Sequence, residues 1–107
     1  MKRLHQEVVR VVLLGGQLRC ITKVDISSGT VNESFAAPRE IFRAAIIHSA
    51  YAFVLVHSHP SGTTTPSEAD RELTKRVATA AKILQIKFLH HVIVGQGYFS
   101  FQEAGLL

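Results

Sequence analysis

The chain has 107 residues, of which 47% are hydrophobic and 19% charged, and a formal net charge of +4. That length makes one domain over residues 1–107 with a single core, and that composition excludes global disorder. A single cysteine, Cys20, excludes an intramolecular disulfide and a cysteine-rich zinc site.

Residues 8–14 form a nearly continuous valine-rich run closed by Gly15-Gly16, which predicts a buried strand followed by a tight turn. Residues 18–26 alternate, apart from Ile21: Leu18, Cys20, Thr22, Val24 and Ile26 face one way, while Arg19, Lys23 and Asp25 face the other. This predicts a hairpin partner with one wet face. The break at Ser27-Ser28-Gly29-Thr30 is followed by an expected extended connector over 31–36. Pro38 suits a first helical turn, and apolar residues at 41, 44 and 45, widened by 42 and 46, predict a sheet-packed helix to residue 50.

Residues 52–59 read as a central strand, apolar until its histidines, and 61–66 as a loop. Ser67 then starts a helix to about residue 84, with a stripe through Leu73, Val77, Ala80 or Ala81, and Leu84. Residues 88–94 and 98–101 make a last hairpin around Gly95-Gln96-Gly97. The order is ββαβαββ, an α/β fold with a mixed sheet, packed helices and one parallel crossover. Strand order does not follow from it.

The chemistry concentrates in His57-Ser58-His59-Pro60-Ser61, Ser67 and Asp70. Side chains alternate in a strand, so His57 and His59 point the same way and can close on one cation, with Pro60 ending the strand. Two imidazoles and a carboxylate at about 2.0–2.2 Å suit zinc and leave a fourth position for water. Each part has an ordinary reading as well. The two histidines could be plain strand residues, and Ser67 with Asp70 resembles a capping box, with a carboxylate that the helix dipole favours in any case.

A hydrolytic zinc site also needs a base. Glu7 precedes the buried run and shares the face of Val9, Val11 and Leu13, where partial desolvation would raise its pKa toward neutrality. A surface glutamate at a strand start is the competing reading.

His57-Ser58-His59-Pro60 followed by Ser67 and Asp70 resembles the His-x-His-Pro … Ser-x-x-Asp signature of JAMM, or MPN-type, metalloproteases. The whole chain is similar to the JAMM domain of the bacterial RadC family. The similarity runs through Gly29-Thr30, Pro38-Arg39-Glu40, the stretch 57–62, Pro66-Ser67, His91-Val92-Ile93-Val94-Gly95 and the ending from Ser100-Phe101 to Leu107. This resemblance implies a cytidine-deaminase-like fold with zinc held by His57, His59 and Asp70. It also implies Glu7, in its Glu-Val context, as the base, and Ser67 as a hydrogen-bond donor to the bound water or the developing oxyanion.

Two residues depart from that pattern: Ser58 stands where Asn is usual between the histidines, and His90 where Asp usually precedes the later histidine. No helix-hairpin-helix region of the kind RadC proteins often carry upstream is expected within residues 1–107. The expected function is a zinc-dependent peptidase or isopeptidase acting on a protein or peptide. The alternative is a DNA-repair-associated module that binds protein or nucleic acid around a structural metal.

Nucleic acid is weakly supported, because the twelve lysines and arginines are spread along the chain. No apolar run approaches the about 18–20 residues that span a bilayer. No signal-peptide pattern precedes Arg10, so a cytoplasmic setting is expected. A deaminase would need His-x-Glu and Pro-Cys-x-x-Cys motifs, and both Gly-rich stretches read as hairpin turns, not phosphate loops. His5, His48, His90 and His91 read as surface or core histidines, not ligands.

Overall fold

The computed structural model describes residues 8–27, 33–59 and 62–107. Its elements are β1 (Val8–Leu14), β2 (Cys20–Ser27), α1 (Glu33–Ile47), β3 (Ala52–Ser58), α2 (Glu68–Leu84), β4 (Lys87–Gly95) and β5 (Gly97–Ser100). This is the ββαβαββ order that the hydrophobic patterning predicts.

The strands join into one five-stranded sheet of order β2-β1-β3-β4-β5. Only β3 and β4 run parallel, joined through α2 as a crossover requires, and the other neighbours are antiparallel. Strand β3 is central, as its apolar run predicts. The register sets His57 opposite Val9 on one side and Ile93 on the other.

Alternation decides which side chains make the core. On β1, Val9, Val11 and Leu13 are buried while Arg10 is exposed and paired with Asp25 across the hairpin. The same face of β3 supplies Phe53 and Leu55, and both helices contribute to this cluster: Ile41, Phe42 and Ala45 from α1, Leu73, Val77 and Ala81 from α2. Phe53 is fully buried, edge-on to Phe42 at 5.5 Å and stacked on Phe88 at 5.0 Å. Each such side chain contributes about 1.5–3 kcal/mol by leaving water. In α2 the predicted stripe holds at Leu73, Val77 and Ala81, but Leu84 is exposed at the helix end.

Helix α1 corrects two expectations. It begins at Glu33, so much of the predicted connector over 31–36 is helical and Pro38 lies inside the helix, not in its first turn. A proline there leaves one backbone acceptor a turn earlier without its usual N–H, which the helix tolerates near its start. The helix also stops at Ile47, three residues early. Ser49 adopts a left-handed conformation (φ 52°), Ala50 N–H donates to the Ala45 carbonyl at 2.8 Å, and Ser49 N–H donates to Ile46 at 3.1 Å. That pair of bonds is a Schellman stop. Helix α2 ends in the same way around Gln85 (φ 60°).

No helix among the described residues is long and apolar enough to cross a membrane.

Candidate metal centre

The end of β3 and the start of α2 meet at one point. His57 is the last inward-facing residue of β3, and His59 follows it on the same side. Their rings stand edge to face with centroids 4.9 Å apart. The chain then turns back through Gly62, whose N–H donates to the His59 carbonyl at 3.0 Å. Gly62 has a φ of 85°, a region that favours glycine. The Gln96 N–H donates to the Gly62 carbonyl at 2.8 Å, tying this loop to the β4–β5 turn. At Gly95 a Cβ would lie 2.7 Å from the Gly62 carbonyl carbon, so only glycine lets the two segments approach this closely.

Asp70 reaches the histidines because α2 starts where its cap dictates. Ser67 Oγ accepts from Asp70 N–H at 3.1 Å, and Asp70 Oδ2 accepts from Ser67 N–H at 2.8 Å, a complete capping box. The same carboxylate is buried between the imidazoles, with Oδ1 3.0 Å from His57 Nδ1 and Oδ2 2.9 Å from His59 Nε2. Burial works against its charge. The hydrogen bond and charge of His57, with the bonds from Ser67, outweigh burial and hold the carboxyl well below the ordinary carboxylate range.

These contacts test whether a cation fits. His59 Nδ1 lies 3.0 Å from the Thr63 carbonyl, which can only accept, so that nitrogen carries the proton. In the neutral ring Nε2 is then a lone pair facing the carboxylate at 2.9 Å. Two acceptors at that distance need a positive centre between them, a proton or a metal ion. A metal-binding histidine that gives its other N–H to a backbone carbonyl is the usual supporting arrangement. One ligand atom each from His57, His59 and Asp70 all fall within 4.8 Å of one another, so the three could hold a metal ion. Among the described residues no other group of this kind is found.

The remaining expectations sort by face. Ser67, the predicted hydrogen-bond donor, is exposed beside the triad. Ser58 pairs with Val8 and Val94 on the opposite face of the sheet, as alternation requires, and His90 is exposed on that face opposite Val54. Both departures from the family pattern therefore lie away from the triad. His48 is exposed. Glu7, His5, Gly29, Thr30, Pro60 and Ser61 lie outside the described residues.

Of the two expectations for His91, surface or core, the structure shows the core one. It is fully buried, stacked on Phe101 at 4.4 Å and lying parallel to His57 at 6.0 Å. Burial foremost, and then the His57 charge, push its pKa down to about 4, so the ring is neutral at pH 7. Its Nδ1 is 2.7 Å from Thr74 Oγ1, and that hydroxyl donates to the Asp70 carbonyl at 2.8 Å. With the hydroxyl proton so used, Nδ1 of His91 is the donor. Nε2 is then a buried acceptor without a hydrogen-bond partner among the described residues, at a cost of about 1–3 kcal/mol.

Residues 1–106 match the RadC-like JAB domain family. A UPF0758 protein of Trichlorobacter lovleyi is 47% identical over 104 residues, which cover 96% of this chain and 45% of that protein. One of Rubrobacter xylanophilus is 50% identical over 104 residues, 97% of this chain and 46% of that protein. One of Symbiobacterium thermophilum is 45% identical over 108 residues, covering this chain fully and 46% of that protein. The chain thus spans a little under half the length of these curated relatives. With its mixed sheet, and with the paired histidines and the aspartate drawn together at one helix start, the chain belongs to the RadC-like JAB domain family.

Proposed function

We propose that this domain is a zinc-dependent hydrolase of the peptidase or isopeptidase type, acting on a protein or peptide in the cytoplasm. The observation that carries the reading is the convergence of His57, His59 and Asp70, with one ligand atom of each within 4.8 Å of the others and His59 Nδ1 turned to the Thr63 carbonyl. Membership supports it, since JAB domains are often hydrolytic. So does placement: the triad sits beyond the carboxyl end of a parallel strand and at a helix start, where open α/β sheets gather their ligands.

Zinc held there would lower the pKa of its bound water to about 7 and polarise the scissile carbonyl. The chain's own residues divide the other tasks. Val9 stands opposite His57, and Glu7, two residues earlier in the sequence, is the base that the resemblance to the family implies. In this reading Glu7 takes the proton of the attacking water and returns it to the leaving amine. Ser67 Oγ accepts from the helix, which leaves its own hydroxyl proton to donate to the developing oxyanion.

The test is cleavage. Protein stripped by a chelator and then given one equivalent of zinc is incubated with peptide-linked and isopeptide-linked substrate pools, and new termini are read by mass spectrometry. Cleavage by the zinc-loaded protein, absent after stripping and absent from His59→Ala, is the expected result. Equal cleavage by stripped and loaded protein, or none from any pool, would overturn the assignment.

A further inference from the structure

We infer that His91 and Thr74 form a positioning relay for the metal centre, fixing where Asp70 stands relative to His57 and His59. The inference rests on the metal reading above and goes beyond it. Thr74 is one helical turn after Asp70, buried, with its hydroxyl on the Asp70 carbonyl. Such a bond from threonine to its own helix holds the hydroxyl but does not place the helix. Placement comes from the second bond: His91 Nδ1, on β4, donates to that oxygen across the interface between helix and sheet.

His91 is itself immobilised. Phe101 stacks on its ring, the Phe101 N–H donates to the His91 carbonyl at 2.9 Å, and the His57 ring lies parallel to it at 6.0 Å. The first turn of α2 is therefore pinned to the strand that borders β3, and β3 carries His57. A purely apolar wedge would fill the same slot without leaving Nε2 a buried acceptor lacking a partner among the described residues. The imidazole is accounted for by the one thing a phenyl ring cannot do, which is to donate to Thr74.

The experiment measures zinc affinity by competition with a chromophoric chelator, and the visible absorption of the cobalt-loaded protein, for wild type and four variants. Thr74→Val and His91→Phe each keep shape while breaking the relay, Thr74→Ser keeps the hydroxyl, and the double variant Thr74→Val/His91→Phe tests coupling. Each breaking variant is expected to bind zinc about 10–100-fold more weakly, the range seen when outer-shell partners of metal ligands are removed. Their cobalt spectra should shift, Thr74→Ser should match wild type within about threefold on the same scale, and the double variant should be no weaker than the weaker single.

A merely structural role would lower stability without moving the cobalt bands or producing the serine rescue. If His91→Phe does not fold, Thr74→Val, which exchanges one hydroxyl for a methyl, carries the test. Tight binding by wild type with equal affinity and spectrum in Thr74→Val overturns the relay alone. A wild-type protein that takes up no zinc overturns the metal reading and the relay with it.

Discussion

Asp70→Asn is expected to reduce zinc affinity by roughly a thousandfold while leaving helix α2 in place. The two halves of this prediction separate the two roles that one side chain plays. As a cap, Asp70 accepts the Ser67 N–H through Oδ2 at 2.8 Å, and an asparagine oxygen can accept the same bond. The backbone N–H of residue 70 still donates to Ser67 Oγ. With its oxygen kept at the Oδ2 position, the variant's NH2 group takes the place of Oδ1 and faces His57 Nδ1.

As a ligand, the substitution removes the only negative charge of the set. Apparent zinc binding by complete protein sites amounts to about 10–16 kcal/mol, so losing the anionic member costs on the order of 4 kcal/mol, which is roughly three powers of ten. Competition titration gives the affinity, and far-ultraviolet circular dichroism gives the helix. An affinity within tenfold of wild type would mean that Asp70 caps and does not ligate.

The second large effect belongs to Glu7. Glu7→Gln should lower the rate of zinc-dependent cleavage by about a hundredfold to ten thousandfold, the range that a positioned general base supplies. It should leave zinc content at one equivalent, because Glu7 acts on the water and not on the metal. Glutamine keeps the size and the hydrogen-bonding oxygen of glutamate but cannot take a proton. The acid limb of the pH–rate profile should therefore vanish in the variant. A variant that cleaves at the wild-type rate removes Glu7 from the mechanism. One that loses zinc along with activity makes it a ligand instead.

The site was readable in the sequence wherever local geometry decides it. Period-two alternation alone puts His57 and His59 on one side, and the spacing from Ser67 to Asp70 alone makes a capping box whose carboxylate ends in the first turn. Alternation also sends Ser58 to the far face. The residues that support these side chains were not readable, because they are brought in by tertiary contact. Thr63 contributes only a backbone carbonyl, which every residue has. Thr74 and His91 are seventeen positions apart and meet because α2 packs on β4. Phe101 seals His91 from beyond the last strand.

A buried histidine carries no sign in the sequence of whether it serves packing or a neighbour's position. In the fold, the pattern yields element types and order, since apolar period distinguishes strand from helix over most of the chain. It misplaces the start of α1, where Pro38 reads as a first-turn residue although the helix has already begun at Glu33. It cannot yield the β2-β1-β3-β4-β5 order, because apolar strands do not encode which neighbour they take.

The proposed zinc ion would be held by His57, His59 and Asp70. The most direct test is a crystal of the protein prepared with zinc, measured on both sides of the zinc absorption edge. One anomalous peak within about 2.0–2.2 Å of a nitrogen of each histidine and a carboxylate oxygen of Asp70 is the predicted result. No peak at the triad, or a peak held by other residues, would contradict it.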